Sequence, residues 1–184
     1  MPSREEKASD AFFALGSQYF VHARYSAQFF YLPVSATLFH HAVEMLLKGS
    51  LSRRVPTIEL KRIGHDLVRL WSSFKQEAGD PALARYDRAV SLLDEVERLR
   101  YPDTIVDEGY VLLVSLGPTV TPLDLPGADV LPHYAITVSD LDAIVLAIFR
   151  GSGVSPIPYF KGAPGELKRG LPIDLCPSDE VPAA

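Results

Sequence analysis

Proline placement constrains this chain more than any other feature. Five prolines fall in the first 103 residues (Pro2, Pro33, Pro56, Pro81 and Pro102) and ten between Pro118 and Pro182. Proline removes a backbone donor and clashes with the preceding helical turn, so long helices are confined to the stretches between prolines. The chain therefore reads as a helical N-terminal part followed by a Pro/Gly-rich C-terminal part. Charge divides the same way: residues 1–103 hold 14 Lys/Arg against 13 Asp/Glu, and residues 104–184 hold 4 against 10. A near-neutral first half lacks the long-range field of a duplex-DNA binder.

Four helices are expected before Pro102. Ser3 and Glu6 have capping-box spacing and open a helix running to about Phe30, with an apolar stripe of Phe12, Leu15, Tyr19, Val21, His22, Tyr25 and Phe29. Pro33 suits the first turn of a second helix carrying Leu38, Ala42, Met45 and Leu46, ended with help from Gly49. Ser50 to Ile58 reads as a connection. A third helix starts near Gly64-His65-Asp66, buries Leu67, Leu70, Trp71 and Phe74, and stops near Gly79. A fourth runs from about Pro81 to Arg100 through Leu83, Tyr86, Val90, Leu93, Val96 and Leu99. Short links between long helices favour an antiparallel bundle. Beyond it, Tyr110–Leu116 and Tyr134–Val138 read as two strands of a short β-hairpin across a Pro-rich loop. Ser139 is the expected N-cap of a last helix ended by Gly151 and Gly153. The expected layout is a bundle over 1–103, a hairpin plus helix over 104–150, and a Pro-rich acidic tail over 151–184.

Composition narrows the class. With 184 residues, 47% of them hydrophobic, the chain can bury a core and is not disordered throughout. Its single cysteine, Cys176, rules out a disulfide scaffold and a zinc site built on several thiolates. No run of eighteen apolar residues occurs, and acids stand where a secretory leader would carry its basic region. A soluble cytoplasmic protein without a membrane partner is the expectation.

Local patterns carry the candidate chemistry. Six basic residues cluster between Lys48 and Arg69 (Lys48, Arg53, Arg54, Lys61, Arg62 and Arg69) against Glu59 and Asp66; they are the candidate phosphate-binding face. On helix two, His40, Glu44 and Lys48 are four apart and share one face. A metal there would use His40 or His41 with Glu44. H-E-x-x-H is absent, however, and Glu44 before Lys48 has the orientation of an ordinary helix ion pair, so neither metal nor cofactor is expected. His65 and Asp66 open helix three, where a first-turn acid suits the dipole and the histidine suits a cap or an interhelix hydrogen bond. They, with Arg100, are the candidates for catalysis. G-x-S-x-G, G-x-x-x-x-G-K-[ST] and G-x-G-x-x-G are all missing.

Three strings taken together resemble the HEPN family of small helical bundles. One is Leu38-Phe39-His40-His41-Ala42-Val43-Glu44-Met45-Leu46-Leu47-Lys48. The second is Gly64-His65-Asp66-Leu67-x-x-Leu70, and the third is Arg100-Tyr101-Pro102. The likeness spans roughly residues 8 to 103. It implies a mainly α bundle of four to five helices, a homodimer, and roles in toxin–antitoxin or defence systems. Ribonuclease members carry R-x(4–6)-H, whose histidine moves protons while the arginine stabilises the charged phosphorane. None of the five histidines here has an arginine five to seven residues before it, and Arg100 is followed at that range by Ile105, Val106 and Asp107. The resemblance therefore implies a non-catalytic binding or accessory module for RNA, a nucleotide or a partner protein. The alternatives are a divergent metal-independent ribonuclease using His65, Asp66 and Arg100, and a purely structural oligomerisation protein.

Overall fold

The computed structural model describes residues 3–116, 131, 133–165, 171–172 and 174–175. Helix α1 spans Arg4–Gln28, opened by the expected capping box: Ser3 Oγ accepts from the Glu6 backbone, and the Glu6 carboxylate accepts from the Ser3 backbone. A three-residue link, with Phe30 at a φ of 60°, turns the chain into α2, Leu32–Leu51. Pro33 lies in its first turn as expected.

Helix α2 is the centre of the molecule. It packs against α1, against α4 (Leu67–Ala78), against α5 (Asp87–Val96), against α7 (Val138–Ser152) and against strand β1 (Val111–Ser115). Its sequence explains this position, because Leu38–Leu47 is apolar almost all round and such a helix has to be enclosed on most sides. Phe39, Ala42, Val43, Leu46 and Leu47 are fully buried.

The buried face of α1 differs from the expected stripe. Ser9, Phe13, Gly16, Ser17, Phe20, Val21, Ala23 and Ala27 face inward, while Leu15, His22, Tyr25 and Phe29 are exposed. Small residues decide the matter. A Cβ on Gly16 would stand 2.8 Å from Leu46 Cγ, so α1 lies too close to α2 for a larger side chain at that position. A pattern of large apolar residues does not register this close-approach face. Gly49, expected at the end of α2, instead sits within it against Phe12 and Phe13.

Between Leu51 and Leu67 the expected connection contains a short helix α3, Thr57–Ile63. The fourth expected helix is three pieces: a 3-10 turn over Pro81–Tyr86, then α5, then a second 3-10 turn over Glu97–Arg100. Leu83, Val90, Leu93, Val96 and Leu99 are buried as expected. Pro102 begins a further helix, α6, Pro102–Glu108, after Tyr101 adopts extended geometry. Tyr101 is half-exposed rather than turned back on the bundle; the Arg100 guanidinium lies over its ring and donates to its hydroxyl.

The expected hairpin is a correction. Strand β1 pairs with β2 (His133–Thr137) in parallel, with Val111 opposite His133 and Ser115 opposite Thr137. Parallel strands need a long crossover instead of a tight turn, and the long interval between them permits one. Helix α7 is capped by Thr137, two residues before the expected Ser139, and stops at left-handed Gly153. Gly151 lies inside α7, where a Cβ would stand 2.7 Å from Phe74 Cζ. Part of the expected surface tail is core: α8 (Ile157–Phe160) buries Phe160 against Phe20 and Phe149, and Leu175 is also buried. Cys176 and the Pro-rich loop at 117–130 lie outside the described residues. Among those described, no helix is long and apolar enough to cross a membrane.

Candidate functional site

Enclosure of α2 has one chemical consequence. Glu44, near its middle, is fully buried, so its carboxylate has to be met from within the protein. Lys48, one turn on and itself buried, brings Nζ to 2.5 Å from Oε1. The second oxygen, Oε2, faces three imidazoles. His65 Nδ1 is 3.0 Å away, His41 Nδ1 3.4 Å and His40 Nε2 3.9 Å. One ligand-type atom from each of these four residues lies within 4.8 Å of the others.

Burial by itself would raise the Glu44 pKa. Hydrogen bonds from His41, Lys48 and His65 outweigh it and hold the carboxyl down at about 2. Burial also holds His40 below the usual imidazole range, against the pull of its bond to a backbone carbonyl. That bond fixes its tautomer. Nδ1 lies 3.3 Å from the Leu93 carbonyl oxygen, which can only accept, so Nδ1 carries the proton and donates. In the neutral ring Nε2 is then a bare lone pair, buried, without a hydrogen-bond partner, and turned toward Glu44 Oε2.

Exposure rises across the cluster, from 1% at the His40 side chain through 25% at His41 to 57% at His65. One edge is thus sealed by α5 and the other reaches the surface. The local chain explains how His65 arrives there. Gly64 ends α3 at a φ of 70°, a left-handed conformation that favours glycine, and so swings the next residue over α2. Helix α4 is then anchored at its start by two carboxylates. Asp66 Oδ1 accepts from the Arg69 backbone at 2.8 Å, and Asp94 Oδ1 of α5 accepts from the Leu67 backbone at 2.7 Å.

The candidates named from sequence are dispersed differently. His65 makes an interhelix hydrogen bond, as expected, and Asp66 is an N-cap. Lys48 is not on the basic face at all, because an almost wholly enclosed α2 leaves its ammonium no route except to Glu44. Arg54 pairs with Glu77, while Arg53, Lys61, Arg62 and Arg69 are exposed and make no ion pair with another described residue. Arg100 pairs with Glu97 and lines a shallow apolar groove with Pro33, Val34, Thr37, Leu38 and Leu99. Thr37, beside Arg100, and Glu44, beside His65, are seven residues apart on α2, about 10 Å along its axis.

The meeting of His41 and His65 at Glu44 Oε2 is what sequence spacing missed. They stand on different elements, and no periodicity links a residue on α2 to the loop before α4. Chemically, the cluster offers one carboxylate oxygen and three imidazole nitrogens around a common point. Among the described residues it is the group that could hold a metal ion. Comparison with known protein families, curated proteins and solved structures finds no match to this chain.

Proposed function

We propose that this chain is a HEPN-like binding module without ribonuclease chemistry, and that its ligand carries phosphate, as RNA or as a nucleotide. The observation that carries the reading is the face made by the end of α2, α3 and the first turn of α4. There Arg53, Lys61, Arg62 and Arg69 are exposed without ion-pair partners among the described residues. Exposed cations of this kind suit phosphate oxygens and leave bases unread. The order of the three HEPN-like strings supports the family assignment. The first forms the central helix, the second opens α4 and the third closes the turn before α6.

A homodimer belongs to the same proposal. It is supported by the exposed apolar residues Phe29, Phe30, Tyr31 and Val34 around the α1–α2 link, a patch of the kind that marks protein interfaces. Sedimentation that gives a monomer at every concentration would remove this part.

The test of the main reading is fluorescence anisotropy with a short single-stranded RNA over a range of salt. Binding that weakens steeply with salt, and weakens further in an Arg62→Ala, Arg69→Ala double variant, is the expected outcome. Absence of binding at low salt refutes the nucleic-acid reading. The same protein should leave the RNA intact, and cleavage abolished by His65→Ala would favour the ribonuclease alternative.

A further inference from the structure

We propose that His40, His41, Glu44 and His65 form a binding site for one divalent transition ion of the zinc class. Three imidazole nitrogens and one carboxylate oxygen are a donor set suited to zinc and its neighbours, and unsuited to magnesium or calcium, which prefer all-oxygen shells. The spacing is close to what such an ion imposes. Tetrahedral bonds of about 2.0–2.1 Å separate donor atoms by roughly 3.3 Å. The three nitrogens lie 3.0, 3.4 and 3.9 Å from Glu44 Oε2, and all four donor atoms lie within 4.8 Å of one another, so the side chains must draw together around the ion to close the shell.

His40 is the observation that an ordinary ion-pair cluster leaves unexplained. Lys48 neutralises Glu44 at Oε1, and donors on His41 and His65 satisfy Oε2. His40 adds nothing to that arrangement. Its Nδ1 proton is committed to the Leu93 carbonyl, and its buried Nε2 lone pair is aimed at an oxygen that is also an acceptor. Two acceptors facing each other in the core cost free energy unless a cation stands between them. A ring nitrogen held by a backbone carbonyl, with the other nitrogen free and directed inward, is how proteins orient a metal-ligating histidine. His65, open to solvent at 57% exposure, supplies the entry side, and Lys48 keeps the carboxylate turned so that Oε2 is presented.

Bound ion requires Nδ1 of both His41 and His65 to be deprotonated, with the proton on Nε2 or released to solvent. Without the ion those Nδ1 atoms donate to Glu44. The metal thus replaces two hydrogen bonds and fills the one unmatched lone pair. Its test is independent of the phosphate reading because the assay contains no nucleic acid; of the four ligands, His65 alone lies in the chain between basic residues of that face, Arg62 and Arg69.

The test uses the full chain, free of any affinity tag and stripped with a chelator. Zinc is titrated calorimetrically, and cobalt(II) is followed by its visible absorption. The expected result is one equivalent of zinc per chain and the intense bands of tetrahedral cobalt. In His65→Ala, whose exposed ring contributes little to packing, affinity should fall by more than the roughly 10- to 100-fold that loss of a supporting residue costs. His22→Ala, on the exposed side of α1, should bind as the parent does. Failure of the folded parent protein to bind either ion overturns the proposal. So does zinc binding that His65→Ala and His41→Ala both leave unchanged, because the ion would then sit elsewhere.

Discussion

Replacing Glu44 by glutamine removes a negative charge and little else, so it isolates what the carboxylate does in the core. Two routes give the size of the effect. Glutamine leaves Lys48, a residue only 8% exposed, without its counter-charge, and stranding one partner of a buried pair costs roughly 3–5 kcal/mol. Linkage gives a similar figure: a carboxyl at about 2 in the fold and near 4.5 otherwise contributes about 3 kcal/mol at neutral pH. Because the folded value lies below the unfolded one, this stability is present above about pH 4.5 and is lost as pH falls toward 2. The assay is urea unfolding of the parent and Glu44→Gln at pH 7 and pH 3, with a chelator present so that no bound ion contributes. Glu44→Gln should be destabilised by about 3 kcal/mol at pH 7, and the gap should shrink at pH 3. A Glu44→Gln, Lys48→Met double variant should lose less than the two single changes together. A pH 7 difference below about 1 kcal/mol, or one that is undiminished at pH 3, would refute the reasoning.

Three further expectations rest on other parts of the fold. Trp71, 2% exposed, packs on Phe74 and donates to Asp87 Oδ1, so Trp71→Ala should cost about 3–5 kcal/mol in chemical denaturation. Gly151→Ala should cost about 1–3 kcal/mol by pressing on the Phe74 ring, whereas Gly162→Ala, facing open space, should be close to neutral in the same assay. Gly64→Ala meets no neighbouring atom, so its cost is the backbone strain of a side chain at φ 70° and ψ −128°, about 1–3 kcal/mol, and it should also weaken zinc binding by shifting His65.

The sequence displayed features governed by neighbours in the chain. The capping box at Ser3, the stop at Gly79 and the inward residues of α4 follow from local hydrogen bonding and a period of 3.6, and all were legible. Strand positions were legible too, but their direction was not. A short valine-rich run bounded by glycine and proline says that a strand exists, while parallel or antiparallel pairing depends on the path between the strands. The face of α1 was misread because close helix approach is built by Gly16, Ser17, Ala23 and Ala27, which carry little apolar surface. The site failed for a related reason. Glu44 and Lys48 have the spacing of a solvated helix pair, and only the enclosure of α2 by the elements packed around it turns that pair into a buried one. His65 joins it across 21 residues through a glycine turn, a relation that no helical or strand period encodes.

The claim at the centre of this account is that three of the five histidines point named nitrogens at one carboxylate oxygen. Long-range proton–nitrogen NMR of the imidazole rings, recorded before and after one equivalent of zinc, reads those nitrogens individually. His40 should show a protonated Nδ1 before zinc is added. On addition, His40 Nε2 and the Nδ1 atoms of His41 and His65 should move together to the shift of metal-bound nitrogen, while His22 and His133 stay where they were. Zinc that leaves all five rings unmoved, or that shifts His22 and His133 in place of the other three, would contradict it.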